Sequence, residues 1–223
     1  EKAKMYLDAN LEALNEYEKL CKNIDCDFER KDSYVYSTSN RKIIEKEVKA
    51  VNDLGFGAEF CNECELSFRI DGAIKFPCQA QFNPIKFINV IIDGLTIYEN
   101  TTIREIEPNK AHTQNGTITA DKIIVATHFP FINKHGSYFL KLYQHRSYVC
   151  AYEGAELVDG MYVDENKKGI SLRSYNNLLL IGGGAHRTGK KGGAWNDVEN
   201  FTNNYYPNAQ LKYMWAAQDC MSL

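Results

Sequence analysis

No stretch of the 223 residues approaches the roughly 18 consecutive apolar residues that a membrane-spanning helix requires. There is no block of like charge, and 26 basic against 29 acidic residues leave a net charge of -3. Without a basic field, nucleic acid is not expected as a partner. The chain contains no G-x-G-x-x-G and no G-x-S-x-G, so it carries neither an intact dinucleotide-binding turn nor a serine nucleophile elbow. Cys61 and Cys64 form the one C-x-x-C; Cys21, Cys26, Cys78, Cys150 and Cys220 supply no second pair at zinc spacing. Seven scattered cysteines and no secretory leader favour reduced thiols and a cytoplasmic setting. His128, His135, His145 and His186 include no pair at ligand spacing beside a carboxylate, which leaves loop or surface histidines as the default. Repeats and Pro/Ser-rich linkers are also lacking, so any second domain is expected to be interleaved with the first.

Against these absences stands an ordinary globular composition, 44% hydrophobic and 25% charged. Apolar residues from Met5 to Cys21 recur at spacings of three and four and predict an amphipathic helix. DSYVYSTS alternates as a strand, KIIEKEVKAVNDLG reads as a helix closed by Gly55, and Asn83-Pro84 is a helix start with Gly94 beyond its end. LTIYENT, TIREIEPN, KAHTQ and GTITA read as strands, the last two joined at Asn115-Gly116 in a hairpin. This meander leads into KIIVA (Lys122 to Ala126), whose unbroken apolarity predicts a strand covered on both faces. Beyond Pro130, LYQHRSYVCAYEG, GMYVD, GISLRSY and NLLLIGGG predict a second sheet, followed by a helix over WNDVENFTNNYY. The fold class expected is α/β (α+β).

GAHRTGKK, from Gly184 to Lys191, lies between a strand and a helix and falls one residue short of a phosphate loop. Lys191 stands where the magnesium-binding hydroxyl belongs. A P-loop nucleotide hydrolase is therefore the weaker alternative, beside a non-catalytic interaction domain.

TADKIIVATHFPFINKHG, preceded by IYENTTIREIE, together with QAQFNPIKF, HRTG and WAAQDCMSL, resembles the glycine oxidase and D-amino-acid oxidase superfamily of FAD-dependent oxidoreductases. The similarity is to a branch often fused to a C-terminal Rieske domain, and it runs over nearly the whole chain. It implies a central piece of a longer protein, a truncated FAD/NAD(P)-binding domain with a β-meander and an interleaved antiparallel substrate sheet. Residues 1-26 and 80-142 would form the cofactor part, and 27-79 and 143-223 the substrate part. The glycine turn and a C-terminal flavin segment would lie outside these residues. The 223 residues alone are accordingly expected to be inactive and to hold no FAD, with any Rieske 2Fe-2S cluster elsewhere.

On the same resemblance, Ile103 would read the adenine edge through its backbone, and Ala126 and Thr127 would let the main chain approach the dinucleotide. His128 stands where the wider superfamily has glycine. Gln81 would lie near the flavin ring; a loop amide capping the next helix is the structural alternative. Arg146, Arg173, His186, Trp215 and Asp219 are candidates to line the substrate pocket, with at least one of the two arginines expected to be a solvated strand-end charge. The superfamily's carboxylate-binding arginine is replaced by Asp219, so efficient oxidation of glycine, sarcosine or D-amino acids is not expected if Asp219 faces the pocket and no other arginine has taken over. The substrate would be a small molecule giving a hydride to flavin.

Overall fold

The structure, a computed structural model, describes residues 1-132 and 136-222. In chain order the elements begin with α1 (Lys2–Cys21), β1 (Glu29–Ser37), α2 (Arg41–Asn52), β2 (Glu59–Cys61) and β3 (Gly72–Gln81). Then come α3 (Pro84–Ile91) and three short strands, β4 (Ile103–Glu107), β5 (Lys110–Thr113) and β6 (Thr117–Thr119). The last part holds β7 (Leu142–Glu153), β8 (Met161–Asp164), β9 (Ser171–Tyr175), β10 (Leu178–Arg187), α4 (Trp195–Tyr205) and β11 (Gln210–Ser222). No helix among the described residues is long and apolar enough to cross a membrane.

Eight strands form one mixed sheet in the order β11-β7-β10-β9-β8-β1-β3-β2, with β1 and β8 parallel and the other neighbours antiparallel. The remaining three form the meander β4-β5-β6. The architecture is thus a large mixed sheet with flanking helices and a small antiparallel sheet, as the expected fold class requires. Alternation along each strand assigns the core. Tyr148, Cys150, Leu172, Leu179 and Ile181 point to one face, where Val198 of α4 packs into the same buried cluster. On the opposite face Val35 and Ile74 meet Ile44 and Val48 of α2.

Local chemistry fixes the helix starts. The Asn40 side chain accepts from the Ile43 N–H, and Asn83 accepts from Ile85 and Lys86, with Pro84 in the first turn where its missing N–H costs nothing. At α4 the constraint is steric. Gly184 has φ +62, and a Cβ there would stand 1.9 Å from the Ala194 carbonyl oxygen. Only glycine lets β10 and the chain entering α4 approach this closely.

Three sequence expectations change, and the weaker phosphate-loop alternative falls. Lys122 to Ala126 is not a strand, and Ile124 is 89% exposed. Asn109 donates to the carbonyls of Ala120 and Asp121 and so terminates the meander, and no described strand lies alongside to pair with the segment. Residues 95-100 likewise form no strand. The hairpin exists, but Thr113 closes it: its N–H and hydroxyl both donate to Gly116 O, at 2.8 and 2.9 Å, and its Oγ1 accepts from Asn115 N–H. Gln114 and Asn115 therefore occupy the bend in place of Asn115-Gly116. Finally, GAHRTGKK is no phosphate loop. Gly184 to Arg187 continue β10, Lys190 N–H returns to Arg187 O, and α4 starts only at Trp195.

Ile181 is fully buried at the centre of the sheet, so Ile181→Ala is expected to cost about 2-5 kcal/mol of stability, read as a lower urea midpoint. A loss under about 0.5 kcal/mol would contradict this core assignment.

Candidate functional site

The site is built where β3 hands over to α3. Gln81 ends β3 and is 6% exposed. Its Nε2 donates to Glu29 Oε1 and, at 3.2 Å, to Ser174 O, which leaves Oε1 to accept from the Arg173 guanidinium at 3.3 Å. Two residues on, Asn83 caps α3 through Oδ1 and donates through Nδ2 to the Tyr175 hydroxyl at 2.9 Å. Tyr175 in turn donates to Asp27 Oδ2 at 2.6 Å, and Lys86 pairs with Asp27 Oδ1 at 2.9 Å. These bonds hold the Asp27 carboxyl below its ordinary range, the Tyr175 hydroxyl contributing most and Lys86 next. The capping alternative for Gln81 is set aside, because Asn83 does that work.

This corner closes one end of a cavity of about 710 Å³. Its floor is the face of the large sheet opposite α4. Strand register sets Tyr213, Ala151, Leu180 and Arg173 in one cross-strand row, and all four line the cavity with Trp215, Leu178, Phe82 and Ile85. The lining is mostly aliphatic and aromatic, with Gln81, Arg173, Asn83, Tyr175 and Asp27 as its polar members. Such a surface with a few convergent polar groups is the usual form of a small-molecule site.

The structure brings Gln81, Arg173 and Trp215 together in this cavity. Asp219 lies on the same face of β11 as Trp215 but four residues further along, exposed, accepting from Ser147 at 3.3 Å; it does not line the cavity. Arg146 and His186 are paired across β7 and β10 on the opposite face, in register with Gln218. Arg146 is exposed, as a solvated strand-end charge is. His186 Nδ1 donates to Arg187 O and its Nε2 accepts from the Tyr148 hydroxyl at 2.9 Å, a satisfied structural histidine. Sequence reasoning missed Asp27, Tyr175, Leu180 and Tyr213. For Tyr175, Leu180 and Tyr213 the only signal is strand register, which a single sequence does not print, and Asp27 stands in the loop before β1.

Of the residues expected along a cofactor, Gln81 lies in the cavity, Ala126, Thr127 and His128 form a separate strip, and Ile103 lies in the meander. Ala126 and Thr127 are exposed, and residues 122-126 make no backbone hydrogen bond to the described residues, so their amides and carbonyls are open to a ligand. His128 adopts φ 63, the conformation glycine takes easily. Its Nε2 donates to Gln218 O at 2.8 Å, which docks the strip against β11. Ile103 opens β4, half-buried and paired with Thr113. Open backbone groups and small side chains fit the adenosine side of a dinucleotide; among the described residues nothing at the strip supplies a phosphate clamp.

No group of three or more His, Cys, Asp or Glu among the described residues is placed to hold a metal. Burial pushes the Cys64 thiol up to about 12 and raises Cys61 as well, which disfavours the thiolate forms that metal or redox chemistry needs. His145 faces Asp219 across the β7–β11 ladder, and His135 lies outside the described residues.

Comparison with known proteins adds three findings. The family described as DAO, FAD dependent oxidoreductase, matches residues 1–221. YhfW of Bacillus subtilis (strain 168), named provisionally as a Rieske 2Fe-2S iron-sulfur protein, is 26% identical over 243 residues, covering 99% of this chain and 48% of that protein. In fold, the chain is similar to glycine oxidase from Geobacillus kaustophilus (TM-score 0.75, 15% identity, 99% of this chain and 66% of that one). It is also similar in fold to L-proline dehydrogenase from P. horikoshii (TM-score 0.72, 13% identity, 93% and 65%). The chain therefore spans about half the length of the Bacillus relative and about two-thirds of the two enzymes.

The Asp27 cluster predicts a pH dependence. A carboxyl depressed in the folded state stabilises fully above its unfolded pKa, about 4, and the stabilisation is lost as pH falls through the lower folded value. Asp27→Asn should lower stability at neutral pH and flatten the loss of stability below about pH 4, followed by urea unfolding across a pH series. Parallel curves for the two proteins would contradict it.

Proposed function

Because the chain belongs to the DAO family of FAD-dependent oxidoreductases, we propose that the whole protein oxidises a small organic molecule, and that the cavity beside Gln81, Arg173 and Trp215 is where this molecule is held. The observation that carries the reading is the pairing of an open, small-residue backbone strip with an apolar cavity, the two joined through β11 by the His128 to Gln218 bond. FAD, when bound, supplies the hydride acceptor. What this chain contributes is placement. Residues 126-128 offer backbone groups to the cofactor, and the His128 bond sets the strip against the strand that carries Trp215. Leu180, Tyr213 and Trp215 exclude water from one side of the substrate, and Gln81 and Arg173 provide its polar contacts.

In this reading residues 1-26 and 80-142 serve the cofactor, with Gln81, Phe82, Asn83 and Ile85 also reaching the substrate cavity, and 27-79 and 143-223 serve the substrate. The similarity to YhfW supports a Rieske 2Fe-2S centre elsewhere in the whole protein as an electron acceptor. Seven free cysteines accord with a reducing, cytoplasmic setting. The full-length protein should purify with about one FAD per chain, as hydride transfer to a resident flavin requires, and its visible absorption should bleach anaerobically with a member of a panel of small amines and carboxylic acids. A protein that neither carries nor takes up FAD contradicts the reading.

A further inference from the structure

Where β10 leaves the sheet for α4, the chain gathers positive charge that its own acids do not meet. Arg146 of β7, Arg187 at the end of β10, and Lys190 and Lys191 in the following loop are all exposed. None of them forms an ion pair with a described residue. Against them stand Asp219, which faces His145 across the β7–β11 ladder, and Asp197 in the first turn of α4. This is a local excess of positive charge on a chain whose net charge is -3.

Hydrogen bonds and close packing fix the shape of this corner. Thr188 N–H donates to Gln144 O at 2.9 Å, Lys190 N–H to Arg187 O at 2.9 Å, and Gln218 Nε2 to Thr188 Oγ1 at 3.3 Å. A Cβ on Gly192 would stand 2.4 Å from His186 Cβ, so glycine lets the loop fold over His186, the cross-strand partner of Arg146. On the other face of the ladder the Arg187 guanidinium lies over the Tyr143 ring, 4.8 Å from its centre. The cations therefore wrap the strand ends, and none of them lines the substrate cavity. Charges spread in this way match a surface and do not close on one small anion.

We infer that Arg146, Arg187, Lys190 and Lys191 form a docking surface for an acidic patch on another protein. A long polyanion or an anionic membrane meets the field of the whole chain, which is negative, whereas a patch the size of this corner meets only the local excess. An interface of exposed charges is of the transient, salt-sensitive kind. The surface adjoins the strip at residues 126-128, because the same Gln218 that bonds Thr188 accepts from His128 through its carbonyl. A docked partner thus lies beside that strip, and the docking itself does not depend on whether flavin is bound.

Fluorescence anisotropy of a labelled oligo-glutamate peptide, about ten residues long, titrated with the full-length protein tests this. Binding should weaken at least about tenfold between about 50 and about 300 mM salt, as screening of exposed charges requires. Combining Arg146→Gln, Arg187→Gln, Lys190→Gln and Lys191→Gln should weaken it by at least about tenfold at the lower salt. A control that removes the same charge elsewhere, Lys2→Gln, Lys22→Gln, Lys42→Gln and Lys46→Gln, should keep most of the binding; these side chains are exposed as well. Failure of the unsubstituted protein to bind the peptide overturns the inference and needs no variant to fold. Equal losses in the two variants overturn it, since the effect would then be one of net charge. Displacement of the peptide by an equal concentration of inorganic pyrophosphate also overturns it, by making the corner a small-anion site.

Discussion

A strand commits every side chain to one of two faces, and in this chain the two faces of a single eight-stranded sheet have different neighbours. On one face α4 seals a buried cluster that includes Tyr148, Cys150, Leu179 and Ile181. On the other, α2 covers only the β1–β3 end, and at the β11-β7-β10-β9 end Ala151, Leu180 and Trp215 line a cavity shared with the start of α3. The cavity exists because coverage stops halfway across the sheet. A register slip of one residue in β10 would exchange Leu180 for Leu179 and remove both core and cavity at once. Gly184 matters for the same reason, since its missing Cβ is what brings the start of α4 against β10.

The polar chemistry gathers at the rim of that open half because the chain crosses there from sheet to helix. Asn83, Tyr175, Asp27 and Lys86 form a closed circuit of hydrogen bonds and charge, while Gln81 and Arg173 form an open one with a cation left over. The difference is one of stoichiometry. The first circuit matches each charge within the fold, and the second does not.

Much of this was legible in the sequence where signals are local. Asn83-Pro84 marked α3, and the Tyr- and Val-rich runs marked β1, β7, β8 and β9. The meander showed in its turn residues, and the family resemblance in ATHFPF and WAAQD. Three strands were hidden. β2 is only three residues long, Glu59–Cys61. β3 carries Pro77 and a bulge where Cys78 takes φ 56, which breaks its alternation. β11 shifts register between Leu211 and Tyr213 and is exposed along much of its length. Lys122 to Ala126 misled in the opposite sense. Its apolarity is that of a buried strand, but burial is a property of neighbours, and none of the described strands pairs with it. Of the five pocket candidates, Arg173 and Trp215 line the cavity; Arg146 and His186 lie on the other face of the sheet, and Asp219 lies on the cavity's face but four residues beyond Trp215, because residue type reveals neither the face nor the position a strand gives it.

We propose that the open face of the sheet, and not the α4 face, is turned toward the flavin. Visible circular dichroism of the flavin bound to the full-length protein tests it, since the signal reports the asymmetry of the ring's surroundings. Trp215→Ala, on the open face, should change the flavin bands, and Arg146→Ala, on the α4 face, should leave them as they are. A spectrum altered by Arg146→Ala and untouched by Trp215→Ala would place the cofactor on the wrong side of the sheet and contradict the assignment.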